Sequence, residues 1–263
     1  MMRIKHCATS DPRWAELVEK YQSNWNQAMI DIFGMTPTDQ QKLVIERASK
    51  PGSHTTVTTP SGIGCKHLIS AIAILLVILY PNGRVIIPSM DVAATKSQIM
   101  KYMKQHWYKA IQNHPWLDIY FGLTSNGIHE RSTDRLWFSS FKSVRKYPES
   151  IAGEYAKHLF FICPNANSLS EKIMGIINAS LVERDNGILL TGIPSEHRTY
   201  FYHSHHRLSG DLYSAIQLSA EDSPLVTPEY IEMKRRELGG RDTNAYRMQV
   251  LGLFPNESST SDI

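Results

Sequence analysis

The feature that most constrains this chain lies near its first quarter. Residues 54–59 (HTTVTT) are rich in β-branched side chains, a glycine-containing turn follows (PSGIGCKH), and residues 68–80 (LISAIAILLVILY) are almost wholly apolar. The first segment reads as a strand and the last as a buried helix. At 13 residues the apolar run is short of the roughly 20 needed to span a bilayer. A strand entering a helix through a glycine turn brings several backbone N–H groups and a helix N-terminus to one point, and that point attracts anions. Lys66 stands at the helix entrance and adds a positive charge. The bland alternative, a glycine turn with no ligand, is equally common in kind.

The rest of the chain repeats the alternation. Strand-like segments occur at 84–87, 135–141, 158–163 and 188–191, and helices are expected over 91–113 and 170–182. This order predicts an α/β protein whose mostly parallel sheet carries helices on both faces. Ahead of the turn, residues 11–33 place Trp14, Leu17, Val18, Tyr21, Trp25, Met29 and Phe33 at helical spacing, and Thr38 is a suitable N-cap for a helix that ends before Pro51-Gly52. The expected division is a helical lead-in (1–50), an α/β domain (51–256) and a loose polar tail (257–263), with a weaker boundary near residue 210. A content of 42% hydrophobic residues supports one large core, and a net charge of +3 permits nucleic-acid contact without demonstrating it. Cys7, Cys65 and Cys163 are scattered and form no CxxC pair, which points to a reducing compartment. The N-terminus lacks the apolar stretch of a signal peptide.

A working phosphate loop follows GxxxxGK[ST]: its glycines turn N–H groups to the phosphates, its lysine reaches the β and γ phosphates, and its hydroxyl binds magnesium. With Lys66 as the loop lysine, Pro60 fills the first glycine slot, Cys65 the second and His67 the hydroxyl slot. Gly62 and Gly64 are present but shifted, so the layout survives while the motif fails. The candidate nucleotide-binding residues are Gln40, Gln41, Ser61, Gly62, Gly64, Cys65, Lys66 and His67. Histidine is a poor ligand for magnesium, a hard cation that prefers oxygen.

From about residue 11 to 255 the chain resembles the ATPase domain of tailed-phage terminase large subunits, the motors that pump DNA into capsids. Residues 38–41 (TDQQ) resemble the adenine-reading glutamine motif, residues 58–68 occupy the Walker A position, and residues 150–158 (SIAGEYAKH) resemble the stretch before the Walker B strand. Residues 191–202 (TGIPSEHRTYFY) resemble the coupling segment, and residues 219–227 and 246–255 resemble the last ATPase-domain segments. The resemblance implies a P-loop NTPase fold of the RecA/ASCE type, ATP and Mg²⁺ as ligands of an active site, and double-stranded DNA, a portal or other terminase subunits as partners. It also implies the cytoplasm of a bacterial host as the location. The family normally continues into an RNase H-type nuclease. This sequence ends soon after residues 251–255 and leaves no acidic triad for one, which fits either an excised domain or a protein without the nuclease.

The departures from the family pattern fall in one mechanism. Pro164 stands where an aspartate should orient magnesium's water shell, and Asn165 where a glutamate should activate the attacking water. Ile193 replaces the coupling asparagine. These substitutions predict a pseudo-ATPase that acts by binding. The alternatives are an active ATPase whose acids come from elsewhere, for instance Glu154 or Asp185, and a sensor that binds nucleotide without hydrolysis. Two basic clusters, Lys142 with Arg145 and Lys146, and Lys234 with Arg235 and Arg236, are candidate DNA contacts or plain solvated faces. His203 and His205, beside His197 and His206, form a weak candidate metal pair on a strand. No metal site is assigned.

Overall fold

The computed structural model describes residues 6–133, 136–195 and 198–256. Three helices lead in: α1 (Pro12–Tyr21), α2 (Trp25–Phe33) and α3 (Asp39–Ala48). The single helix expected over 11–33 is two, because the Asn24 side chain accepts the N–H of Gln27 and starts a new helix. Next come β1 (His54–Thr58), α4 (Cys65–Leu79), β2 (Arg84–Ser89), α5 (Val92–Asn113) and the single turn α6 (Leu117–Tyr120). A hairpin, β3 (Phe121–Thr124) and β4 (Gly127–Glu130), precedes β5 (Phe138–Ser143) and β6 (Leu159–Cys163). Then follow α7 (Glu171–Ser180), β7 (Gly187–Gly192), α8 (Tyr200–His205), β8 (Ser214–Gln217), α9 (Pro228–Glu237) and α10 (Asn244–Gln249).

The eight strands form one sheet in the order β3-β4-β5-β2-β6-β7-β1-β8. From β5 to β8 every pairing is parallel, and the β3–β4 hairpin closes one edge antiparallel. Period-2 burial assigns the faces. Val85, Ile87, Phe160, Ile162 and Leu189 belong to the core shared with α1 to α5, whereas Ile86, Leu159, Phe161, Ile188 and Leu190 belong to the core shared with α7 and α8. The lead-in helices therefore share the main core. The strand expected at 135–141 runs from Phe138 to Ser143, and its expected first residue lies outside the described residues. The weaker boundary near 210 is not a break in the fold, because β8 joins the sheet beside β1 with Thr55 opposite Ser214. The tail at 257–263 lies outside the described residues. Among those described, no helix is long and apolar enough to cross a membrane.

α4 is buried from Leu68 to Leu79 with no solvated face. A helix in that position must satisfy its terminal carbonyls inside the protein. Two indoles do so: Trp14 Nε1 donates to Ile78 O at 2.9 Å and Trp137 Nε1 to Val77 O at 2.6 Å. The two rings meet edge-on at 5.9 Å, so the lead-in and the residue just ahead of β5 clamp the same helix end. Replacing Trp137, which is completely buried, by Phe leaves the Val77 carbonyl without its donor. Trp137→Phe should lower stability by about 1–3 kcal/mol, read as a lower urea midpoint at unchanged m-value.

Candidate functional site

The phosphate turn hangs between the end of β1 and the start of α4. Gly62 and Gly64 both have positive φ, 88° and 75°. A Cβ on Gly64 would lie 2.9 Å from Gln41 Nε2, so this position requires glycine for space as well as conformation. The turn is held from three sides. Thr59 N–H donates to Gly192 O and Ser61 N–H to Gln249 O. Gln41 Nε2 donates to Ile63 O at 3.0 Å, while its Oε1 accepts the Thr38 N–H and completes a capping box on α3. The side chain expected to read adenine thus has both ends of its amide engaged within the protein. Gln40 clamps Ser219, donating to its carbonyl and accepting its N–H.

α4 begins at Gly64 without a side-chain cap, whereas the other described helices of nine or more residues each have one. Its first-turn N–H groups therefore remain available at the positive end of the helix dipole. They open into a cleft of about 390 Å³ whose walls include residues 59–67, Tyr102, Pro164, Asn165, Gly192 and Ile193. Strand order brings these together. β7 alone separates β1 from β6, so the turn and the end of β6 lie roughly 10 Å apart, two strand spacings. Lys66 spans the gap: Nζ donates to Pro164 O at 2.9 Å and to Asn165 Oδ1 at 3.0 Å. Both acceptors are neutral. Burial pulls the Lys66 ammonium below its ordinary pKa, and among the described residues no carboxylate lines the cleft to restore it.

The remaining slots are filled by packing groups. The His67 ring lies 4.3 Å from that of His106 and edge-on to Tyr102 at 5.3 Å, and burial lowers its pKa, which favours the neutral ring. Burial pushes the Cys65 thiol up, so it stays protonated. Ile193 is exposed at the mouth. The cleft thus fits an anion, through uncapped N–H groups and Lys66. It does not fit magnesium, because the slots for its oxygen ligands hold an imidazole and a proline. The alternative acids stand elsewhere. Glu154 pairs with Arg84 and Lys142, and Asp185 precedes β7 at the opposite end of the strands from Lys66. Among the described residues no cluster of three metal-ligating side chains occurs. His203 and His205 lie on α8, a helix and not a strand, where residues two apart face different ways. His197 lies outside the described residues.

No family model matches the chain. It is 40% identical over 258 residues to a protein described as a probable terminase, large subunit, of Enterobacteria phage P7. The chain is a relative of the phage large terminases. The match takes in 95% of this chain and 52% of that protein, so the chain spans about half the length of this curated relative. Among solved structures, the large terminase ATPase domain of Thermus phage P74-26 aligns at a TM-score of 0.62 and 14% identity, covering 86% of this chain and 97% of that one. The large terminase of another thermophilic bacteriophage aligns at 0.62 and 10% identity, over 84% of this chain and 54% of that one. These structures show that the terminase relative has the fold of the ATPase domain. The second of these terminases has been solved with ADP and with ATP-gamma-S.

Sequence order alone located Lys66, Pro164 and Asn165. It missed Tyr102, which reaches the cleft from α5, and Leu225 and Val226, whose side chains come within 3.2 Å and 2.8 Å of the Cβ positions of Gly64 and Gly62. No local signal marks such residues, since they arrive from distant elements. The first basic cluster begins in β5 with Lys142, which pairs with Glu154, and continues past its end with the exposed Arg145 and Lys146, at the same end of the strands as the turn. The second ends α9, where Lys234 pairs with Glu237 and Arg236 with Glu232, and Arg235 is exposed.

His106 gives the region a pH dependence. It is buried, its Nε2 lies 3.1 Å from His67 O, and desolvation, aided by the neighbouring His67, holds its pKa down to about 4. Below about pH 6.5 the unfolded chain takes up a proton that the folded chain refuses until about pH 4, so stability falls as pH drops through that window. Burial of His205 acts in the same direction. Urea unfolding should show a lower midpoint at about pH 5 than at about pH 7.5, with a smaller drop in His106→Phe.

Proposed function

We propose that this terminase relative is a packaging-motor ATPase fold that has lost hydrolysis and acts by binding. The carrying observation is the partner set of Lys66: a backbone carbonyl and an asparagine oxygen, in a cleft with no carboxylate among its described lining residues. P-loop catalysis consists almost entirely of positioning and charge neutralisation around the phosphates. Removing one such group commonly slows turnover about 10²–10³-fold. Here the magnesium, water-activating and coupling positions are all altered, which leaves no route to useful turnover. Asn165 can orient a water but cannot accept its proton.

A second reading, non-hydrolysing nucleotide recognition, draws on the uncapped N-terminus of α4 and the uncompensated charge of Lys66. These groups favour a polyphosphate without needing a metal. Calorimetry with ATP should then show binding that does not require Mg²⁺ and weakens at least tenfold in Lys66→Ala. Phosphate release with duplex DNA present should stay at background. Turnover that disappears on Lys66→Ala would overturn the pseudo-ATPase proposal and restore an active enzyme.

Duplex DNA is the proposed partner of the exposed Arg145 and Lys146, with portal or motor subunits as further partners of the fold. Phosphate contacts made by such side chains release counterions and weaken with salt. Replacing both Arg145 and Lys146 by Glu should abolish duplex binding at about 50 mM salt and flatten its salt dependence; unchanged binding in a gel-shift titration would reject this face.

A further inference from the structure

A second cavity, of about 420 Å³, lies on the α8 face of the sheet, one residue behind the phosphate turn. Its walls come from the end of β1, α8, β8, α10 and residues 252–256, and it shares no lining residue with the cleft around Lys66. The two sites are therefore physically separate, although Thr58 of this cavity and Thr59 of the turn are neighbours in the chain.

Three residues that line this one cavity each carry a side-chain atom buried without a hydrogen-bond partner among the described residues: Thr58 Oγ1, His205 Nε2 and Arg247 Nε. A single buried polar atom left unpaired is costly, and native proteins hold few of them. Here three of them belong to residues that line the same cavity, close enough for one shared oxyanion to pair with them. A hydroxyl, an imidazole and a guanidinium share one capability, which is to donate. Arg247 Nη2 donates to Phe254 O at 3.4 Å, which orients the guanidinium on the cavity wall, while its Nε is buried without a partner among the described residues. Among the described residues no carboxylate lines the space, so Arg247 has no counter-ion there. The rim is rigid: the Tyr202 ring stacks on His206 at 3.8 Å and meets Phe254 edge-on at 5.0 Å. We infer that this cavity is a second anion site, in which Arg247, His205 and Thr58 together bind the oxygens of a phosphoryl or carboxylate group. Arg247 supplies the charge and part of the fork geometry that planar or tetrahedral oxyanions match. Burial keeps the His205 imidazole neutral down to about pH 3, so it serves as a hydrogen-bonding group without adding charge.

The test uses the full chain carrying Lys66→Ala, so that the phosphate turn does not dominate the signal. Inorganic phosphate is titrated by calorimetry at constant ionic strength, with sodium chloride as the balance. Phosphate should bind, its Kd should rise at least tenfold on adding Arg247→Gln, and it should rise at least threefold on adding Thr58→Val. Because Arg247 also orients residue 254, Thr58→Val is the decisive variant if Arg247→Gln unfolds. It removes a fully buried hydroxyl that has no partner among the described residues, so its Tm should be unchanged or higher while phosphate affinity falls. Competition by acetate identifies a carboxylate ligand, and its absence identifies a phosphoryl ligand; both support an oxyanion site. No phosphate binding in the Lys66→Ala chain, or binding indifferent to both Thr58→Val and Arg247→Gln, would assign the cavity to ordinary solvent and overturn the inference.

Discussion

The structure depends on one helix that has no side to show to water. α4 is apolar all round, so it must be covered on every face. The sheet covers one side and the lead-in helices with α5 cover the others. Its ends then become the problem, since buried N–H and C=O groups need partners. At the C-terminal end the answer is structural: Trp14 and Trp137 donate to the carbonyls of Ile78 and Val77. At the N-terminal end no side chain caps the helix. That asymmetry separates the part of α4 that builds the fold from the part that borders the candidate site.

The candidate site inherits its weakness and its remaining use from the same place. A phosphate-binding turn works through backbone N–H groups, which do not depend on side-chain identity. Hydrolysis works through oxygens fixed at defined points. His67, Pro164 and Asn165 stand where the motor pattern places those oxygens, whereas the turn at Gly62–Gly64 and Lys66 remain. In the folded chain Lys66 is satisfied by neutral oxygens from the strand that would normally bring acids. The proposed anion affinity and the proposed loss of catalysis are thus compatible in one cleft, and the likeness to an ATPase fold does not by itself carry an ATPase activity.

Much of this was legible in one dimension where the signal was local. A β-branched run and short apolar segments marked β1, β2, β6 and β7 within a residue or two, and the long apolar run marked α4. The β3–β4 hairpin and β8 were not legible, being only four residues each. β8 also is a sheet-edge strand whose outward residues look like loop. Gln41 shows the other kind of failure. Its residue type suited adenine recognition, but a glutamine at N3 of a helix is also a capping-box residue, and only the folded distance to Ile63 O reveals that its other end props the phosphate turn.

The sequence by itself determined the α/β class, the position of the phosphate turn and the residues missing from the motor mechanism, because strand and helix periodicity and residue chemistry are local properties. Only the tertiary structure decided what Lys66 touches, that Glu154 and Asp185 stand away from it, and that Thr58, His205 and Arg247 meet at one cavity. Those facts depend on strand order and on side chains separated by up to 189 positions in the chain, from Thr58 to Arg247. No pattern along the chain encodes such a distance. Strand order and the packing around the sheet set it, and with it the two cavities proposed to hold an anion.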